Sequence, residues 1–105
     1  MSRTAWKLRE RQAAQIIGGH RHAANTGGDV DVESPGYVCQ VKERKRLSLT
    51  AVEELALHIE RVATQRNKAG LLIVKRSARK PTPFLVVMTA ATFRYLNGRL
   101  PVEAP

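Results

Sequence analysis

Residues 28–42, GDVDVESPGYVCQVK, constrain the fold of this 105-residue chain more than any other segment. Two short runs of alternating apolar and polar residues flank Ser34-Pro35-Gly36-Tyr37. Pro-Gly is a turn signal, so the segment predicts a β-hairpin. If Ser34 faces Tyr37 across the turn, Val32 faces Cys39 and Val30 faces Val41 on one side of the ribbon. On the other side Asp31 lies opposite Gln40, and Asp29 opposite Lys42. Directly opposed side chains on one face sit about 4.5–5.5 Å apart. This register therefore makes one apolar face for a core and one face of acids, an amide and a lysine. A slip of one residue would set acids against Cys39 and Val41 and mix the two faces.

The remaining elements are read around that hairpin. Residues from about 4 to 17 form a helix, with Ala5, Leu8, Ala13, Ile16 and Ile17 as a loose apolar pattern and Gly18-Gly19 as its end. Glu10 lies one turn after Trp6 and one turn before Ala14, near the boundary of the buried face. It either pairs with Lys7 in solvent or serves a site. Residues 18–28 read as a mobile basic loop. Its His20, Arg21 and His22 lack a Cys or second His pair at zinc-ligand spacing. Phosphate contact by Arg21, Asn25 and Thr26 is the better reading. After the hairpin come Glu43-Arg44-Lys45-Arg46. Thr50-Ala51-Val52-Glu53 fits a capping box that opens a helix to about Asn67, with Ala69-Gly70 closing it. Val52, Leu55, Ala56, Ile59, Val62 and Ala63 form its core-facing stripe, and His58 beside them reads as structural. Leu71-Leu72-Ile73-Val74 and Phe84-Leu85-Val86-Val87-Met88 read as strands buried on both faces. A basic loop with prolines, residues 75–83, joins them. Thr89 caps a last helix through Tyr95, which ends near Asn97-Gly98, and residues 99–105 read as a frayed tail. The expectation is one α/β domain over residues 1–105, with a mixed central β-sheet flanked by helices.

Lys and Arg number 18 against 9 Asp and Glu, a net charge of +9. Such an excess suits a polyanionic partner, and together with the hairpin it favours nucleic acid. A domain of this size buries roughly 60–68% of its unfolded surface, enough for a modest core. Cys39 is the single cysteine, so no intramolecular disulfide is possible. On the apolar face it reads as a buried structural thiol, and a lone thiol fits the cytoplasm, the expected compartment. No signal peptide and no apolar run of membrane-spanning length is seen, so no membrane partner is expected.

The motifs in this order resemble the PD-(D/E)xK nuclease superfamily. Its core motif is an acid, a short gap, then acid-x-Lys on the adjacent strand. Asp31 stands as the first acid, and Gln40-Val41-Lys42 takes the place of Glu-x-Lys. The chain is similar to small Holliday-junction resolvases of the archaeal type and their phage relatives. Those begin with a Glu-bearing helix, a glycine-rich basic loop, the hairpin, a basic stretch and a long helix. The counterparts here are Trp6-Lys7-Leu8-Arg9-Glu10-Arg11, residues 18–28, the hairpin and Lys42-Glu43-Arg44-Lys45-Arg46-Leu47. The likeness runs from roughly Trp6 to Tyr95. Val30 stands where the superfamily usually has Pro. Gln40 replaces a carboxylate with a neutral, weaker ligand, which leaves open whether Asp29 or Glu33 supplies the missing charge.

The resemblance implies a restriction-endonuclease-like core and a hydrolase that cuts phosphodiester bonds with Mg²⁺ or Mn²⁺, without a small-molecule cofactor. Asp31 would be the main metal ligand, helped by the Gln40 amide oxygen and the Val41 carbonyl, with Glu10 acting through water. Lys42 would orient the attacking water and offset developing charge. Arg21, Thr26, Arg44, Lys45, Arg46, Arg76, Arg79 and Lys80 would contact DNA. The implied partner is branched DNA in recombination and repair, foremost the four-way junction. Two symmetric cuts call for a homodimer. A related nuclease acting on forks, flaps or nicks, and a nucleic-acid-binding module that has lost catalysis, remain as alternatives.

Overall fold

The computed structural model describes residues 3–22 and 30–98. Asn25, Thr26, Asp29 and the tail from residue 99, each given a role above, lie outside the described residues. The element order is α1 (Arg3–Ile17), β1 (His20–Arg21), β2 (Val32–Glu33), β3 (Tyr37–Arg44), α2 (Leu49–Gln65), β4 (Ala69–Arg76), β5 (Phe84–Val87) and α3 (Ala90–Leu96). The strands form one five-stranded mixed sheet in the order β1-β2-β3-β4-β5, with only β3 and β4 parallel. A parallel pair needs a crossover, and α2 supplies it.

The hairpin forms in the expected register, Val32 with Cys39 and Glu33 with Val38. The Ser34 N–H bonds the Tyr37 carbonyl at 2.9 Å, and the Ser34 hydroxyl accepts the Tyr37 N–H. The ladder stops there. Val30, expected to share a face with Val41, packs instead with Val38, Ile59 and Ala63 under α2. Val32, Cys39 and Val41 join Ala13, Ala14, Leu71 and Ile73 under α1. The reason is a shift of the chain at Asp31, whose N–H goes to the Cys39 carbonyl at 2.9 Å and breaks the strict alternation.

Three expected boundaries move. Residues 18–28 do not form one loop, because His20 and Arg21 pair with Glu33 and Val32 as β1. Helix α2 is capped by Ser48, whose side chain accepts the Ala51 N–H at 3.1 Å, and not by the Thr50 capping box. The helix ends at Gln65, and Asn67 rather than Ala69-Gly70 turns the chain out of it. Asn67 adopts φ 57°, and the Lys68 N–H returns to the Ala63 carbonyl. Asn tolerates this left-handed conformation almost as glycine does, so it closes the helix and frees Gly70 for β4. A Cβ on Gly70 would lie 2.6 Å from the Ile59 carbonyl oxygen, so glycine lets α2 lie directly on the strand.

β4 is buried from Ala69 to Val74, as its continuous apolar run predicts. It is covered by α1 on one face and α2 on the other. Ile59, Leu72 and Ile73 are fully buried, each contributing about 1.5–3 kcal/mol of transfer free energy. β5 departs from expectation: it is the sheet edge, and Leu85 and Val86 are 55% and 43% exposed. Thr89 caps α3 as expected, its hydroxyl accepting the Thr92 N–H. Among the described residues no helix is long and apolar enough to cross a membrane.

Candidate active site

Where the β2 ladder stops, a side chain takes over from the main chain. In a continued register Val41 would pair with Val30. Instead the Asp31 carboxylate accepts the Val41 N–H at 2.8 Å. A strand residue's N–H and C=O point to the same side, so the Val41 carbonyl also turns toward this open edge of β3. Gln40 and Lys42 flank Val41 and share the opposite face from Cys39 and Val41. Lys42 lies close enough to favour the ionised form of Asp31.

Glu10 reaches the same place from α1. It is 1% exposed and accepts a bond from Arg21 Nε at 2.9 Å. The Asp31 carboxyl lies close enough for each acid to shift the pKa of the other. Burial, then the Asp31 charge, push the Glu10 carboxyl above its ordinary range, with Arg21 opposing. Burial raises Asp31 as well, against the Val41 N–H and Lys42. A buried and a half-buried acid this close repel each other when both are ionised, and a bound cation would relieve that.

The Gln40 Oε1 atom is buried and has no hydrogen-bond partner. A buried side-chain oxygen is ordinarily paired with a protein group, a water or an ion. Among the described residues no three His, Cys, Asp or Glu side chains come together. Mg²⁺ asks less, since it keeps several waters and is held by one or two carboxylates. The two carboxylates and the Val41 carbonyl, on the edge that Asp31 caps, fit such an ion, with Gln40 next along β3 on its other face. Glu33 does not supply the charge Gln40 lacks. Its carboxylate holds His22 Nε2 at 2.7 Å, Arg66 Nη1 at 2.8 Å and Lys68 Nζ at 2.6 Å. Burial would raise its pKa, but these three partners draw it down to about 2. Cys39 is fully buried beside Asp31, and burial, then that charge, push its thiol up to about 12. It is a packing residue, as expected.

The expected DNA contacts divide. Arg21 faces inward to Glu10, a role that its place in a basic, glycine-rich segment did not signal. Arg44 and Arg76 are register partners on β3 and β4, and the Ser77 N–H bonds the Arg44 carbonyl at 2.8 Å. The two basic segments, Arg44-Lys45-Arg46 and Arg76 with Arg79 and Lys80, thus meet at one end of the sheet. All six are exposed. Arg44 lies two residues beyond Lys42 on the same strand, about 7 Å along it. Glu43, just before the first segment, is tied to Arg9 of α1 at 3.2 Å.

Compared with models of protein families, with characterised proteins and with solved structures, the chain matches none.

Proposed function

We propose that this protein is a metal-dependent, structure-selective DNA endonuclease of the restriction-endonuclease-like class, with the four-way junction as its foremost substrate. The strongest support for this reading is that Glu10 and Asp31 come together at the open edge of β3, the strand that also carries Lys42 and the unpartnered Gln40 Oε1. The basic rim that begins at Arg44 adds to it, since phosphate contacts there would lead a strand toward Lys42.

Asp31, the Gln40 amide oxygen and the Val41 carbonyl would hold Mg²⁺ or Mn²⁺, with Glu10 contributing through water. Such an ion, when bound, supplies Lewis acidity and lowers the pKa of a coordinated water. The chain's own residues do the rest. Arg21 holds Glu10 in place and favours its ionised form. Lys42 orients the attacking water and offsets charge developing on the phosphorane. Arg44, Lys45, Arg46, Arg76, Arg79 and Lys80 fix the backbone of the substrate.

A second reading, a nucleic-acid-binding module without catalysis, is favoured by the neutral Gln40. One experiment separates the two and also identifies the substrate. Wild type and Gln40→Glu are incubated with four-way junction, fork, flap and linear duplex over a titration of Mg²⁺ and of Mn²⁺. The nuclease reading expects cleavage by wild type, strongest on the junction, and equal or greater activity of Gln40→Glu at low Mg²⁺. Cleavage by Gln40→Glu alone would favour a lost activity. Cleavage by neither, with both folded by circular dichroism, would refute the nuclease reading.

A further inference from the structure

The β5 edge of the sheet takes no part in the chemistry proposed above, yet it is built unlike the rest of the surface. Residues 81–93, PTPFLVVMTAATF, are 13 consecutive residues without a charge, on a chain that is 26% charged and carries +9. They form β5 and the first half of α3. Nine large hydrophobic residues are exposed among the described residues, and five of them, Leu85, Val86, Phe93, Tyr95 and Leu96, belong to these two elements. A sixth, Ile16 of α1, shares with Val86 and Leu96 an apolar cleft of about 260 Å³, closed beneath by Tyr37, Leu71 and Met88.

Edge strands normally carry a lysine, a proline or a bulge that discourages pairing. β5 has none of these within it: its prolines, Pro81 and Pro83, precede the strand. A DNA backbone would find a single cation, Arg94, on β5 and α3, whereas the basic rim offers six. A second copy of the chain is the occupant that fits. An antiparallel strand edge is its own complement about a two-fold axis. The scarcity of charge, with Arg94 alone on these elements, also lets two molecules of +9 approach where their repulsion is weakest. A stable dimer needs about 800 Å² per partner, roughly one ninth of the 7309 Å² accessible surface.

We infer that this face is a self-association surface, on which β5 pairs antiparallel with β5 of a second copy while the exposed side chains of α3 and Ile16 close over the joint. The two sheets become one of ten strands. The axis stands perpendicular to the sheet, so both α1 helices lie on one side of it. Five strand spacings separate β3 from its mate, about 24 Å. This inference rests on the surface alone and is independent of the nuclease reading.

Sedimentation equilibrium of the full chain, at high salt and free of nucleic acid, tests it. Wild type and Lys42→Ala should both be dimers at micromolar concentration. Leu85→Lys combined with Val86→Lys should weaken association by roughly tenfold or more, because it buries unpaired ammonium groups. Circular dichroism checks that this variant folds. A second arm uses Leu85→Cys and Val86→Cys, which leave the strand apolar. At least one should form a covalent dimer on mild oxidation, while Leu57→Cys on α2 should not. Cys39 stays silent because it is buried. A wild type that stays monomeric overturns the inference, as does a dimer that survives both lysines and cross-links at neither cysteine.

Discussion

Replacing Asp31 with Asn should make the metal-free protein more stable while destroying its response to metal. Asn keeps the shape of Asp, so its amide oxygen still accepts the Val41 N–H that the carboxylate holds at 2.8 Å. A bond to a charged group is worth about 1 kcal/mol more than a neutral one, and that much is forfeited. The gain is relief of Glu10, which no longer faces a second acid and can ionise against Arg21. Two carboxylates in contact repel by about 4 kcal/mol at an effective dielectric near 20. The raised pKa of Glu10 means that part of this is already relieved by protonation, leaving a net gain of about 1–2 kcal/mol. For a domain of this size each kcal/mol raises Tm by about 4–8 °C. The sign with pH follows from both pKa values being raised in the folded state. Below the ordinary carboxylate range both acids are protonated, folded or unfolded, and the variant gains nothing. As pH rises through that range the unfolded chain loses protons first, wild type loses relative stability, and the gap opens. Saturating Mn²⁺ should reverse the order, since ligand at 100 times Kd stabilises by about 2.7 kcal/mol and only wild type binds it. Thermal melts of both proteins across this pH range, with and without Mn²⁺, provide the assay. A variant less stable than wild type without metal, or a wild type that Mn²⁺ does not stabilise, would refute the reasoning.

Other expectations follow from the same geometry. Lys42→Ala should abolish cleavage in single-turnover assays while leaving junction affinity nearly unchanged in a gel-shift titration. Replacing Arg44, Lys45 and Arg46 together with Ala should flatten the dependence of log affinity on log salt by up to about 2.7, at about 0.9 for each phosphate no longer neutralised. An unchanged slope would move the footprint to Arg76, Arg79 and Lys80. Glu33→Gln should cost about 2–3 kcal/mol at pH 7 by denaturant unfolding, because a carboxyl drawn from 4.5 to about 2 by His22, Arg66 and Lys68 stabilises the fold. That contribution is complete above the unfolded pKa and fades as pH falls through the folded one, so the two proteins should converge in strong acid.

The α/β class, the order of the elements other than β1 and the hairpin register next to the turn are legible in the chain, because each rests on local periodicity and on turn chemistry within a few residues. Val32 against Cys39 is the plainest case, since a slip of one residue would have buried acids. The candidate site is legible as a set of residue types, with Asp31, Gln40 and Lys42 close together in the chain. What joins Glu10 to them is not, because Glu10 is 21 residues away from Asp31 and only the docking of α1 brings the two carboxyls together. The roles of Arg21 and Glu33 are likewise hidden. Each is decided by a partner from another element, and composition alone makes Arg21 look like a phosphate contact. β5 reads as a fully buried strand because a continuous apolar run records that a segment avoids water. It does not record what covers it. Whether that cover is a neighbouring strand or a second molecule depends on the strand's place in the sheet, and only the assembled sheet puts Phe84–Val87 at the edge.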